Sequence, residues 1–443
     1  MTINILDYLE NSTAAAPLKV VFSDPDRQIT YQELTRQAKA IGSFLSSALH
    51  GSDKQPVAVV IDRNIESLIA FLGVVYSGNF YVPVDAQLPH GRVERIFTTL
   101  QPAAVVALRR DLALLECVAP GIARIVFEDA AHAEVDETRL ATIRKRTIDT
   151  DPLYAMFTSG STGLPKGAVI CHRSVIDLIE QFTAIFGFSS ASVFGNQAPF
   201  DFDVSVKDIY STLKNCATLQ VIPKVMFSFP IKLIDYINEK KINTAIWATS
   251  ALRIVENLKA LEKTLPVSLE KVMFSGEVMP NKVLNYWRKH LPDVTYVNLY
   301  GPTEITCNCS YYIVDRPFED SDMLPIGIPF PNTDILVLNG QDKPVGEDEM
   351  GEICVRGTSL ALGYYNNLEE TTRRFSQNPL NPHYPELIYR TGDLGKYNAR
   401  GELLFLGRGD TQIKHMGHRI ELGEIEVAVN ALSFVEAGCC LYD

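Results

Sequence analysis

The sequence predicts an α/β protein whose sheets are covered by helices, followed by a smaller antiparallel β unit. Three observations carry this expectation. Short apolar strands alternate with amphipathic helical segments from about residue 30 onward. The alternation restarts after a Gly/Ser/Thr-rich loop at 158–167, and from about Pro329 it gives way to short strands divided by turn residues. Strands separated by helices pair in parallel, because each helix carries the chain back over the sheet and buries both of its faces.

The elements follow in order. Thr30-Tyr-Gln-Glu33 is a capping-box signature in which each side chain can satisfy an orphan amide at a helix start. Behind it Leu34, Ala38, Ile41, Leu45 and Leu49 fall on one helical face. Pro56–Ile61 reads as a short apolar strand, and Asn64 as the cap of a helix through Tyr76. Phe80–Val84 reads as a strand, Arg92–Leu100 as a helix and Ala103–Leu108 as a further strand, while Leu153–Phe157 leads into the loop. Strands are expected again at Ala217–Ile222, Thr244–Ala248, Lys271–Phe274 and Tyr296–Leu299. In the last part Ile335–Leu338, a turn at Asn339-Gly340, Glu352–Arg356 and Leu403–Leu406 suggest antiparallel strands, and Ser376–Pro385 a surface loop.

A chain of 443 residues exceeds one ordinary core, so two or three subdomains are expected. The composition is that of a soluble globular protein, 46% hydrophobic and 21% charged. A net charge of −12 argues against a nucleic-acid partner or an anionic membrane surface, and leaves any anionic ligand to local amides and a few cations. The acidic opening MTINILDYLENS lacks the apolar core of a signal peptide, and no apolar run approaches the ~18 residues of a membrane span. The eight cysteines include the pair Cys307 and Cys309 and the adjacent Cys439–Cys440, but no zinc spacing. Reduced thiols and a cytoplasmic location follow as expectations.

The loop Thr158-Ser-Gly-Ser-Thr-Gly-Leu-Pro-Lys-Gly167 supplies hydroxyls, flexible amides and one lysine. Such a segment can wrap its amides around phosphate oxygens while Lys166 adds a point charge. Thr158, Ser159, Gly160, Ser161, Thr162 and Gly163 are therefore candidate phosphate ligands. Walker A spacing is absent, which disfavours P-loop phosphoryl transfer.

This loop resembles the phosphate signature of the acyl-adenylate-forming superfamily, which includes acyl-CoA synthetases, luciferases and the adenylation domains of nonribosomal peptide synthetases. Further stretches resemble that family's motifs in the same order: Asn298-Leu-Tyr-Gly-Pro-Thr-Glu304, Met350–Tyr365, Tyr389-Arg-Thr-Gly-Asp-Leu394, Gly407-Arg-Gly-Asp-Thr-Gln-Ile-Lys414 and Gly417-His-Arg-Ile-Glu-Leu-Gly-Glu-Ile-Glu426. The resemblance implies two stacked doubly covered β-sheet subdomains, a smaller β-barrel subdomain and the start of a mobile α+β C-terminal lobe. Residues 1–409 would be the adenylation core, with α/β subdomains at about 1–215 and 216–328 and a β-rich one at 329–409. Residues 410–443 would be the hinge, at Asp410, and the truncated start of the lobe.

The roles implied are those of ATP-dependent carboxylate activation. Glu304 would hold Mg²⁺, Thr303 would donate to the α-phosphate, and Lys166 would complete the catalytic set. Tyr300 would stack on adenine, Asn298 would read its amino edge, and Gly276, Glu277 and Gly301 would line the same pocket. Asp393 would accept from both ribose hydroxyls with Arg408 beside it; by residue type alone, Asp393 is a turn residue.

The segments Ser77–Asp85 and Phe200-Asp-Phe-Asp-Val-Ser-Val206 resemble those of amino-acid adenylation domains, with Asp203, rather than Asp201, in register to pair with an α-ammonium. Phe202–Tyr210 and Met273–Glu277 also resemble D-alanine–carrier protein ligases, with Ser275 where those enzymes commonly carry cysteine. The implied function is amino-acid activation for transfer to a phosphopantetheinylated carrier protein or domain. The family's pocket register falls on Asp203, Val204, Lys207, Trp247, Met273, Ser275, Leu299, Cys307 and Asn308. Lys207 has two readings: a lysine snorkelling to solvent, or an inward ammonium that selects an acidic substrate. In the outward case, Ser275, Cys307 and Asn308 favour a small or polar amino acid. Since the sequence stops at Asp443, short of the family's lobe lysine, it is expected to be a core fragment or the front of a longer synthetase. The rival expectation is a catalytically impaired nucleotide-binding module.

Overall fold

The computed structural model describes residues 2–113, 115, 121–159 and 165–409, and of the last stretch residues 412–415, 418–422, 425, 429, 440 and 442. Its backbone divides into two units, one formed by Met1–Met156 with Gly167–Lys224 and the other by Phe157–Lys166 with Val225–Asp443. The architecture is mixed α/β with a curled antiparallel sheet.

In the first unit the local signals act as their chemistry requires. Thr30 caps the helix Tyr31–Ala48 by accepting from the Glu33 amide, and the Glu33 carboxylate accepts the Thr30 amide in return. Asn64 accepts from the Ser67 amide at 3.1 Å and starts the helix Ile65–Tyr76. Strands Pro152–Thr158, Phe80–Asp85, Pro56–Ile61, Ala104–Ala107 and Ala123–Val126 lie side by side in that order and pair in parallel. All six residues of Pro56–Ile61 are buried, which is the pattern of a strand covered on both faces. A second set in this unit runs Val193–Asn196, Thr218–Val221, Val20–Ser23 and Gln28–Thr30, parallel except for its last pair.

In the second unit Thr244–Ala248, Lys271–Ser275 and Thr295–Tyr300 pair in parallel, then Ser310–Ile313 and Ile328–Pro329 continue antiparallel. The curled sheet comprises Thr333–Leu338, Gly351–Gly357, Leu387–Tyr397, Phe375–Gln377 and Leu403–Arg408, all antiparallel. Asn339 shapes the turn at Asn339-Gly340, its side-chain oxygen accepting from the Gln341 and Lys343 amides.

Two readings of residue type are corrected here. Ser376 and Gln377 are not loop: Phe375–Gln377 pairs with Leu387–Tyr389, and the burial of Phe375 ties that edge down. Nor is Asp393 a turn residue, since it lies inside the eleven-residue strand Leu387–Tyr397. Gly392, at φ +76°, carries the left-handed step in this strand, and its amide donates to Glu352 Oε1 at 2.9 Å.

Candidate active site

Three strands of the second unit bring Tyr300, Asp393 and Arg408 together. Tyr300 closes the strand Thr295–Tyr300. Asp393 and Arg408 are direct cross-strand partners, so their side chains share one face. The Tyr300 hydroxyl donates to Asp393 Oδ2 at 2.6 Å and Arg408 Nη1 donates to Oδ1 at 2.6 Å. The pair is sequestered, with the Arg408 and Asp393 side chains 11% and 7% exposed. Burial, followed by the charge of Asp393, raises the Tyr300 hydroxyl well above its ordinary pKa, so this phenol is a neutral donor. The result is a carboxylate fixed in place and a tyrosine ring held by its own hydroxyl. Asn298, two residues before Tyr300, donates its side-chain amide to the Pro325 carbonyl at 2.8 Å. On the neighbouring strand's end, Gly276 sits at φ +95°, a conformation strained for any side chain, and Glu277 beside it is half-buried.

Beyond Tyr300 the chain makes a short helical turn, Thr303–Ile305, that buries Glu304 completely while leaving Thr303 half-buried. Glu304 Oε1 accepts from the Tyr364 hydroxyl at 2.7 Å, and its carbonyl accepts from the Ala361 amide at 2.8 Å. Thr306 and Cys307 then follow at φ +57° and +76°. Two successive non-glycine residues in the left-handed region, one β-branched, are strained, and strain of this kind concentrates at functional sites. Thr306 is held by its hydroxyl, which donates to the Ser359 carbonyl at 2.7 Å. Gly301 is required by close approach: a Cβ there would lie 2.6 Å from the Asn308 Cα and 2.8 Å from the Cys307 carbonyl oxygen.

Around the phosphate loop, Gly160, Ser161, Thr162 and Gly163 lie outside the described residues, as does Asp410. Of the residues at its two ends, Ser159 is buried, and the Thr158 hydroxyl is buried without a hydrogen-bond partner. Lys166 opens the strand Lys166–Cys171, so the loop ends two residues earlier than its composition suggests. Its ammonium, 4% exposed, contacts Glu370 Oε1 at 2.7 Å and sits 5.7 Å from the Tyr364 ring centroid. Glu370 and Tyr364 were not anticipated. Asn367-x-x-Glu370 could have been read as a helix start, and Asn367 does accept from the Glu370 amide at 3.1 Å, but that reading is a structural one.

The predicted substrate residues divide between the units. In the first, Asp203 is buried at the head of the helix Val204–Lys214 with Val204 buried next to it, whereas Asp201 is half-buried. The solvent-directed reading of Lys207 is overturned: the residue is 0% exposed, with its ammonium 6.0 Å from the Phe182 ring centroid. The helix Val204–Lys214 packs this face on the helix His172–Phe186, which closes the route to water. Neighbouring Asp208 is fully buried; desolvation lifts its carboxyl to about 7, opposed by an Asn196 hydrogen bond and the charges of Lys207 and Arg63. In the second unit Trp247, Met273, Ser275, Leu299, Cys307 and Asn308 are all buried. Phe227 meets Trp247 edge-on at 5.3 Å, and the Ser275 hydroxyl is buried without a hydrogen-bond partner.

Among the described residues no group of three or more His, Cys, Asp or Glu could hold a metal ion, and no helix is long and apolar enough to cross a membrane. A family model described as AMP-binding enzyme matches residues 9–365. The chain is 31% identical over 442 residues to the D-alanine–D-alanyl carrier protein ligase of Bacillus licheniformis, covering 98% of this chain and 84% of that protein. It is 30% identical over 423 residues to tyrocidine synthase 1 of Brevibacillus parabrevis, covering 96% of this chain but only 38% of that synthase. Among solved structures, its fold is similar to NpsA-ThdA, an artificially fused adenylation–PCP di-domain of a nonribosomal peptide synthetase from Klebsiella oxytoca. That likeness has a TM-score of 0.83 at 22% identity, over 99% of this chain and 85% of the other. The AMPPNP-bound form of the synthetase FmoA3 is similar too, with a TM-score of 0.83 at 24% identity, over 92% of this chain and 43% of that one.

Proposed function

The chain belongs to the AMP-binding enzyme family, and we infer from that membership that it adenylates an amino acid for loading onto a carrier protein. The observation that carries this reading is the family match over residues 9–365, because that span includes both the phosphate loop and Tyr300–Glu304. ATP is the nucleotide substrate, and the amino-acid carboxylate attacks its α-phosphorus in line as pyrophosphate leaves.

Each side chain then has a task suited to its surroundings. Asp393, held by Tyr300 and Arg408, accepts from the ribose hydroxyls, and Tyr300 offers its ring face to adenine. Thr158 satisfies its buried, unpartnered hydroxyl on a phosphate oxygen, and Thr303 donates to the α-phosphate. Lys166 draws charge from the outer phosphates. Glu304 suits Mg²⁺: it is one buried carboxylate, and this ion is commonly held by one or two carboxylates with phosphate and water completing the shell. When bound, Mg²⁺ neutralises charge on the phosphate oxygens. Asp203 pairs with the α-ammonium and so sets the carboxylate's direction.

Substrate choice follows from the buried wall residues. Lys207 is buried beside Phe182 with the Asp208 carboxyl near it, so the choice of substrate falls to the other buried residues. Bulky Trp247 and Met273 with the unpartnered Ser275 hydroxyl favour a small or polar side chain such as alanine or serine. A phosphopantetheinylated carrier protein or domain would then accept the activated acyl group, with Asp410 as hinge. The test is amino-acid-dependent pyrophosphate exchange across a panel of amino acids, D-alanine included. Exchange confined to small or polar substrates supports the reading, and exchange only with glutamate or aspartate refutes the substrate assignment. Absence of ATP binding at millimolar nucleotide refutes the function.

A further inference from the structure

Lys166 and Glu370 make a contact that adenylation does not by itself require. Building on the reading that Lys166 meets the phosphates, we propose that Glu370 is a positioning residue acting through Lys166. It serves as an exchangeable counterion that holds the ammonium in the ligand-free protein and yields it to the outer phosphates of ATP.

The argument rests on an asymmetry of partners. Lys166 is 4% exposed, and an ammonium so enclosed needs a counter-charge. Glu370 provides one at 2.7 Å. The carboxylate, in contrast, does not depend on the lysine. Arg373 Nε donates to Oε2 at 2.6 Å, Arg373 Nη2 donates to Oε1 at 2.6 Å, and Arg374 Nε lies 3.5 Å from Oε1. When Lys166 leaves, Glu370 keeps two guanidinium groups and is not stranded as a buried charge, the event that makes breaking most buried pairs costly. Burial pushes the Glu370 carboxyl up, but the bonds from Arg373 and Lys166 outweigh it and hold its pKa near 2, so it stays ionised throughout the working range.

The geometry also fits a short swing. The Lys166 backbone is fixed at the start of a strand, while its four-carbon stem is free to re-aim a compact charge. The ammonium lies 5.7 Å from the centroid of the Tyr364 ring, whose hydroxyl donates to Glu304. The exchange therefore takes place beside the carboxylate assigned to Mg²⁺. The Lys166 charge is thus already partnered in the ligand-free protein. ATP recovers that charge only by displacing a competitor.

Titration calorimetry of the full chain with ATP and with AMP, both in Mg²⁺, tests this, because only ATP carries the outer phosphates. Glu370→Gln keeps the side-chain shape and removes the competitor, so ATP should bind about tenfold more tightly with AMP within about twofold. Arg373→Gln, at a residue more than half exposed, makes Glu370 lean harder on Lys166 and should weaken ATP by about fivefold, again sparing AMP. A merely structural role for the cluster would move both nucleotides together, and that result overturns the proposal. So does a weaker or unchanged ATP affinity in Glu370→Gln when Lys166→Met selectively loses ATP. If Lys166→Met binds ATP as the parent does, the reading of Lys166 fails first, and the proposal falls with it.

Discussion

Replacing Asp393 by asparagine tests the nucleotide site most directly, because it removes one charge and almost no volume. In the parent both carboxylate oxygens accept short bonds, 2.6 Å each, from Tyr300 and Arg408. The Arg408 side chain is 11% exposed, so its guanidinium would lose its counterion in a poorly solvated place. Removing one member of a buried pair costs about 3–5 kcal/mol, and since the amide still offers one acceptor, about 2–4 kcal/mol is expected here. For a unit of this size that lowers the melting transition by about 4–16 °C. Binding should suffer separately. A hydrogen bond to a charged acceptor contributes about 1.5–3 kcal/mol and one to a neutral acceptor about 0.5–1.5. With two ribose hydroxyls, AMP should weaken by about 2 kcal/mol, roughly thirtyfold. Scanning calorimetry reads the first effect and titration with AMP the second. Adding Arg408→Gln to Asp393→Asn should recover part of the lost stability, since the stranded charge disappears with it. An unaltered AMP affinity in a folded Asp393→Asn variant would refute the ribose assignment, and an unaltered melting transition would refute the buried pair.

Three further outcomes follow from the geometry. Asp203→Asn should reduce amino-acid-dependent pyrophosphate exchange by about a hundredfold or more while ATP titrates within about twofold of the parent; equal loss of nucleotide would show that Asp203 is not an ammonium ligand. Thr158→Val removes a buried hydroxyl that has no hydrogen-bond partner, so it should melt at or above the parent while binding ATP about fivefold more weakly. A lower melting point would contradict the idea that this hydroxyl waits for a ligand. His172 is almost fully buried, accepts the Ile5 amide at 3.2 Å on Nδ1, and has its pKa depressed to about 4, by burial first and Arg144 second. Its folded value lies below the unfolded one of about 6.5, so its contribution is complete above pH ~6.5 and is lost as pH falls through about 4. That amounts to about 3 kcal/mol, and the pH dependence of urea unfolding should flatten by that amount in His172→Gln.

The fold was legible wherever one local rule decided the outcome. Thr30 with Glu33, and Asn64, capped helices because an orphan amide has few other remedies. Unbroken apolar runs such as Pro56–Ile61 became covered strands because nothing else buries both faces. The failures came where tertiary pairing outweighs residue type. Thr391-Gly-Asp reads as a turn, yet neighbouring strands on both sides hold it extended and one glycine absorbs the irregularity. Lys207 reads as a surface lysine, yet its helix turns that position toward Phe182, and only the packing partner reveals it. At the site, motif residues such as Tyr300, Glu304 and Asp393 could be named, but not the bonds among them. Glu370 was invisible for the same reason, since its partner lies 204 residues away in sequence.

That separation has a consequence for the chain as it is made. The second unit takes Phe157–Lys166 from the middle of the span that otherwise builds the first. Lys166 thus leaves the ribosome 204 residues before its carboxylate partner. At about 5–20 residues per second the lysine waits on the order of 10–40 s, during which the first unit's flanking strands can already be in place. The nascent chain must keep this ten-residue segment out of wrong pairings throughout that interval. Between the strands that end at Thr158 and begin at Lys166, its glycines and serines are well suited to that delay, because they offer little apolar surface and poor strand propensity to a premature partner. A split of the coding sequence between Lys224 and Val225 would yield a later fragment that lacks the segment. Such a half could regain it only from a copy of the earlier fragment supplied in trans.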